Sequence, residues 1–291
     1  MQYRITHTTK YTYSEPVPVF ENKLHLAPRT TACQHCSSYR LMVMPDPLRI
    51  DSHADYFGNR VEYFSILNAL RTLSVTSTST VEVFEPSAPV DVDDSPPWEE
   101  LRQGLLKPPN DAWRDACMFS FASDFVPIST SLAEFAKPSF TPGRPILAAA
   151  ADLTRRINEQ FHYNSRATDI STPVDVVLSQ KAGVCQDFAH LQIACLRSLG
   201  LAARYVSGYL RTIPPPGKEK LVGADASHAW LSVFAGNAVW VDFDPTNNVL
   251  PTQDHVTVAY GRDYGDVCPI QGVFVGGGSH TMSVSVDVST L

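Results

Sequence analysis

The sequence predicts an α+β chain, with a β-sandwich-like N-terminal domain leading into a core where helices precede a pair of strands. Three observations carry this. The first ninety residues alternate with period two; Pro, Ser and Asp gather at 86–97 and break that rhythm; apolar residues step by three and four after Pro145. The implied division is 1–90 for the β-rich domain, 91–145 for a linker with short helices, and 146–291 for the core with its C-terminal strands.

Each element follows from local chemistry. Tyr3, Ile5, His7, Thr9, Tyr11 and Tyr13 alternate with polar or small neighbours, the mark of a half-buried strand. Further strands are expected at 39–44, 60–67 and 73–84, bounded by Pro45-Asp46-Pro47, Gly58-Asn59 and Glu85-Pro86. Gly58-Asn59 predicts a hairpin. Asp91, Asp93 and Asp94 lack the downstream glycine and glutamate of a calcium loop and read as a solvated linker. Short helices are expected over 98–137. Beyond Pro145, Ile146, Ala150, Leu153, Ile157 and Phe161 lie on one helical face. Thr172-Pro173-Val174-Asp175 predicts another helix start, with Thr172 as the cap.

Bulk properties narrow the function classes. The 291 residues are 44% hydrophobic and 18% charged, a globular composition. A net charge of −7 without a Lys/Arg cluster argues against nucleic acid or an anionic membrane as partner. No apolar run has the length of a membrane helix, and residues 1–7 lack the apolar core of a secretory signal. Six irregularly spaced cysteines do not form a disulfide framework, so reduced thiols in the cytoplasm are expected.

Chemistry concentrates in three stretches. Phe188, Leu191, Cys195 and Leu199 recur at helical spacing and Gly200 stops the helix, which therefore starts at Cys185, after Gly183. A first-turn cysteine meets the positive end of the helix dipole, which favours thiolate, and free N–H groups that can hold an oxyanion. Asp187 opposes a second anion. The plainer reading is a small buried hydrophobe, as expected of Cys195. Residues 227–234 and 238–244 both alternate. A three-residue loop over Ala235-Gly236-Asn237 pairs Phe234 with Ala238 and sets His228 directly opposite Asp244, with Cβ atoms roughly 4.5–5.5 Å apart. That register puts Asp242 opposite Trp230. Pro245 ends the strand, where a site can open. A thiol, an imidazole and a carboxylate are the parts of an activated sulfur nucleophile, although a lone strand histidine also serves as core.

Gly183-Val184-Cys185-Gln186-Asp187-Phe188-Ala189, Leu196-Arg197-Ser198-Leu199-Gly200 and Ala203-Arg204-Tyr205-Val206-Ser207-Gly208-Tyr209 closely resemble the core of bacterial transglutaminase-like cysteine peptidases. Ser227-His228-Ala229-Trp230 and Asp244-Pro245-Thr246 match its other signatures in order. Tyr11-Thr12-Tyr13-Ser14-Glu15-Pro16-Val17, Leu26-Ala27-Pro28-Arg29 and Phe57-Gly58-Asn59 resemble the β-rich region that precedes such cores. The resemblance spans 148–248 and extends to this front part. It implies a papain-like, transglutaminase-like core with Cys185 as nucleophile, His228 as base and Asp244 as orienting acid, and no cofactor or metal. Two departures stand out: Val239 replaces the glycine that often precedes the matching tryptophan, and nothing resembles the calcium sites of animal transglutaminases.

The implied reaction is acyl transfer through a thioester on a peptide or carboxamide, with hydrolysis preferred over amine cross-linking on the resemblance alone. The other class is a catalytically inactive peptide-binding module on the same fold. Tyr163 is a candidate second oxyanion donor, with a packed core tyrosine as its alternative. Cys33-Gln34-His35-Cys36 lacks the second ligand pair of a zinc site. Gly276-Gly277-Gly278 reads as a turn, and Pro214-Pro215-Pro216-Gly217 with Lys218 and Lys220 as a surface loop bordering the cleft or standing apart from it.

Overall fold

A computed structural model describes residues 1–85, 89–212 and 226–291; the proline loop at 214–217 and its lysines lie outside them. The first strands are β1 (Gln2–Val17), β2 (Val19–Leu24), β3 (Gln34–Met44), β4 (Ile50–Ala54), β5 (Arg60–Ile66) and β6 (Leu70–Val83). Helices α1 (Trp98–Leu106), α2 (Asp111–Cys117), α3 (Thr130–Ala136) and α4 (Ile146–Gln160) follow. Next come β7 (His162–Tyr163), α5 (Val174–Gln180), β8 (Ala182–Gly183), α6 (Cys185–Ser198), β9 (Ala203–Leu210), β10 (Ala226–Phe234) and β11 (Trp240–Phe243). The chain closes with β12 (His255–Gly261), α7 (Tyr264–Val267), β13 (Ile270–Val275) and β14 (His280–Thr290).

Two four-stranded sheets, ordered β14-β1-β6-β3 and β13-β2-β5-β4, form the sandwich. The chain passes from one to the other between β1 and β2 at Pro18, which has no N–H to pair. Inward residues of both sheets, among them Tyr13, Val17, Phe20, Leu24, Val43, Phe64, Ile66 and Val75, make its apolar core. The sheets do not close within 1–90. β14 pairs with β1 from Tyr3↔Thr290 to Tyr13↔His280, and β13 pairs with β2. The last strands, expected with the core, thus complete the N-terminal sandwich, and the three glycines at 276–278, all at positive φ, turn the chain between its two sheets.

The segment 91–145 is not a bare linker. Leu101, Leu105, Ala116, Leu132 and Ala136 of α1–α3 are buried in one continuous core with α4, α6 and the third large sheet, ordered β11-β10-β9-β12. α4 buries the predicted face, Ile146 through Ile157. α5 begins one residue later than expected: Pro173 is the cap, and the Thr172 hydroxyl instead accepts the Asp169 backbone N–H. α6 is buried from Asp187 to Arg197, the burial of a central helix. Arg197 is tolerated there because its guanidinium donates to the carbonyls of Phe119, Ala203 and Arg262. No helix among the described residues is long and apolar enough to cross a membrane.

β12 is the outer strand of this third sheet, and its free edge is covered by side chains of the sandwich. The Gln34 amide accepts from Thr257 N at 2.8 Å and donates to Thr257 O at 2.8 Å. The Asn59 amide accepts from Tyr260 N at 2.9 Å and donates to Tyr260 O at 2.8 Å. Each side-chain amide stands in for a peptide of a missing neighbour strand, so buried edge groups are satisfied.

Candidate active site

Cys185 opens α6, as the helical spacing predicts. Asp187 fastens this helix start: its Oδ2 accepts the Val184 N–H at 2.8 Å and the Thr168 hydroxyl at 2.6 Å. Gly183 is needed beside it, since a Cβ there would stand 2.7 Å from Asp187 Oδ2. Asp187 is therefore a structural anchor. Burial raises its pKa, with the Thr168 and Val184 hydrogen bonds opposing.

His228 lies on β10 and Asp244 just past β11. The observed ladder pairs Leu231 with Phe243 and Phe234 with Trp240, so the connection is two residues longer than expected. Asn237 and Ala238 both take positive φ inside it, and Ala235 N–H donates to Val239 O. Asp242 consequently faces Ser232, although its Oδ2 still receives the Trp230 indole N–H at 2.9 Å. A slip of two keeps side chains on the same face, whereas a slip of one would have separated them. His228 and Asp244 therefore meet diagonally: His228 Nε2–H donates to Asp244 Oδ2 at 2.8 Å.

Asp244 is fully buried and completely engaged. Its Oδ2 also accepts from His255 Nε2 at 3.1 Å and Asn247 Nδ2 at 2.6 Å, and its Oδ1 accepts the N–H groups of Thr246 and Asn247. Burial alone would raise the carboxyl; the bonds from His228 and His255 outweigh it and hold the pKa well below the usual carboxylate range. The His228 ring is pulled the other way. Burial opposes its charge, but hydrogen bonds to Asp244 and Cys185, with the charges on both, carry it up to about 10. Since Nε2 is bound to Asp244, Nδ1 is the nitrogen left for the thiol. Trp230 packs at 5.9 Å from the His228 ring and 5.2 Å from His255. Gly208 makes room for it: a Cβ there would stand 2.5 Å from the indole.

Cys185, His228 and Asp244 thus come together. Tyr163 does not belong to the core, being 61% exposed on β7 near Cys185; partial burial and the neighbouring thiol raise its pKa. Cys33, His35 and Cys36 do not gather as ligands. Among the described residues the one group of three candidate metal ligands is His228, Asp244 and His255, whose atoms lie within 4.8 Å of one another and already share hydrogen bonds through Asp244 Oδ2. His255 and Asn247 escaped sequence reasoning. Asn247 had a local signal, three residues beyond an Asp at a turn. His255 had none, because its strand reaches the site through pairing with β9.

Over residues 3–82 the chain matches the bacterial transglutaminase-like N-terminal region, and over 134–245 the transglutaminase-like superfamily. An uncharacterized protein of Mycobacterium tuberculosis is 42% identical across 99% of this chain and 92% of its own length. One from Mycobacterium leprae is 32% identical across 99% and 98%. A protein-glutamine gamma-glutamyltransferase of Pseudomonas aeruginosa shares 32% identity over 37% of this chain and 17% of its own. A solved Cytophaga hutchinsonii structure, described as a candidate cysteine protease, superposes with a TM-score of 0.75 at 24% identity, covering 100% of this chain and 91% of that one. That likeness is one of fold, a sheet-rich N-terminal region ahead of a papain-like α+β core. The chain belongs to the transglutaminase-like superfamily, in the group that carries the bacterial transglutaminase-like N-terminal region.

Proposed function

We propose that the protein is a cysteine acyltransferase or hydrolase acting on peptide or carboxamide substrates, with Cys185 as nucleophile, His228 as base and Asp244 as orienting acid. The observation that carries this reading is the 2.8 Å bond from His228 Nε2 to Asp244, which leaves Nδ1 for a thiol at a helix N-terminus. The sulfur, as thiolate, attacks the carbonyl carbon, and the oxyanion forms at the first-turn N–H groups, including that of Cys185. Imidazolium His228 then gives its proton to the departing amine or ammonia, leaving a thioester. Asp244 keeps the ring oriented and stabilises its charge throughout.

Water completes hydrolysis, whereas an amine gives a cross-link. Hydrolysis is the preferred outcome on the resemblance to cysteine peptidases. The amine route stays in the test because one relative is a protein-glutamine gamma-glutamyltransferase. Six free thiols suit a reducing compartment, which we take to be the cytoplasm. A peptide and carboxamide library, assayed with and without a primary amine, should show turnover by intact protein and a trapped thioester mass on Cys185. Cys185→Ala should abolish both. Turnover unaffected by that change would refute Cys185 as the nucleophile, and no turnover of any member would leave a binding module on the same fold.

A further inference from the structure

A cleft of about 530 Å³ lies between the sandwich and the catalytic sheet, walled by Arg29, Arg204, Tyr260, Trp240, Phe119 and Tyr56. Arg204 sits on β9 opposite Ser232 of β10, so it shares a sheet face with His228 and Trp230. Four residue steps along β10 separate Ser232 from His228, so the Arg204 position lies roughly 13 Å along the sheet from His228. The Arg204 guanidinium carbon lies 3.7 Å from the centre of Tyr260 and 4.4 Å from that of Trp240. The Arg29 guanidinium lies 4.6 Å from the same Tyr260 ring.

Neither guanidinium makes an ion pair among the described residues, although the charge of Asp242 acts on Arg204 and that of Asp55 on Arg29. Among the described residues the Arg204 side chain makes no hydrogen bond or ion pair, and Arg29 spends Nη1 on Phe57 O and Asn59 Oδ1. The Nε atoms of both are buried without a partner. Burial, with the charge of Arg29, depresses the Arg204 pKa, while Tyr260 and Asp242 oppose the shift. Asp115 on the cleft wall forms no ion pair with either. Stacking between Trp240 and Tyr260 accounts for Arg204 alone as a structural group. The bonds to Phe57 O and Asn59 Oδ1 hold Arg29, yet neither set of contacts places an anion between two guanidiniums at one ring, where like charges repel in a poorly screened space.

We propose that this cleft is a carboxylate-binding site for a ligand with an aromatic or apolar body: the carboxylate meets Arg204 and Arg29, and the body lies against Tyr56, Phe119 and Trp240. Planar guanidinium groups match a carboxylate edge. A singly charged head suits the site better than a phosphate dianion, which would face Asp115. The site stands on these contacts and does not require the catalytic reading.

The test uses Cys185→Ala protein, so that turnover plays no part. Calorimetric titration with N-acetylphenylalanine, its uncharged amide and inorganic phosphate should show saturable binding of the acid and about tenfold weaker binding of the amide. Arg204→Gln in that background should erase the preference, while Tyr56→Ala, at a position 77% exposed, should weaken acid and amide alike. Should Arg204→Gln fail to fold, the indole N–H resonance of Trp240 in Cys185→Ala protein should move with the acid and stay still with the amide. Equal affinity for acid and amide, tighter binding of phosphate, no saturable binding, or a silent Trp240 would overturn the proposal.

Discussion

Two buried histidines lie beside a carboxylate, one just past β2 and one on β10, and their surroundings drive them in opposite directions. His25 Nε2 stands 3.5 Å from Asp55 Oδ2. Burial and the charge of Lys23 lower its pKa, despite a bond to Cys268 O and the nearby acid. Asp55 has other commitments: Oδ1 accepts from Phe57 N and Asn59 N, and Oδ2 from the Asn59 amide. His7, bonded only to Tyr209 and Thr9, falls to about 4 through burial. His228 is buried to a similar degree yet rises to about 10. Burial makes neutrality the default for a histidine. A carboxylate reverses it when it accepts a short, directed bond and a second acid shares the ring.

That contrast can be broken most directly at Asp244. Asp244→Asn should lower kcat/KM by roughly 10⁴-fold, because the ring loses its orienting acid. The His228 pKa, followed by ring proton NMR, should fall toward its ordinary 6.5. Asp55→Asn should leave kcat/KM unchanged, and comparable losses from the two variants would refute the distinction. His255→Phe, which removes one of three donors to Asp244 Oδ2, should cost about ten- to a hundredfold in kcat/KM and shift its pH profile. His255→Gln should recover most of that, whereas equal losses in both would make His255 mere packing. Asn59→Leu strands Tyr260 N and O at the covered edge and should cost about 2 kcal/mol in urea unfolding. The smallest effect concerns His7. A folded pKa below the unfolded value gives stability that is present above 6.5 and lost as pH falls toward about 4. His7→Gln should remove about 1 kcal/mol of the decline between pH 7 and 5.5. His228 has the opposite sign: its contribution is full below 6.5 and fades as pH rises through about 10.

Local periodicity made β1, β3, β5, β6, β10, β11, β14, α4, α6 and the meeting of His228 with Asp244 readable, whereas β2, β4, β9 and β12 were not predicted and the place of Cys185 beside the pair came from the resemblance. The hairpin register was misjudged by two, and parity protected the conclusion, since an even slip leaves Asp244 on the His228 face. What stayed hidden is what only long-range pairing decides. Residues 282–288 read as a strand, but nothing local says that it returns to β1. β12 is buried almost throughout, so no alternation marks His255, and its place beside Asp244 depends on β9 and on the side-chain amides of Gln34 and Asn59. α1–α3 looked like connectors because short amphipathic turns do not announce what they cover.

The pairing of β14 with β1 has a bearing on how the chain tolerates truncation. Eleven registered pairs cover the outer side of β1, and β14 is synthesised after β1 and the whole core between them. A nascent chain, or one shortened before residue 280, presents β1 as an open template for another strand. Such chains should self-associate through that edge, so stops placed ahead of β14 would show up as insolubility before any loss at the thiol itself could be measured.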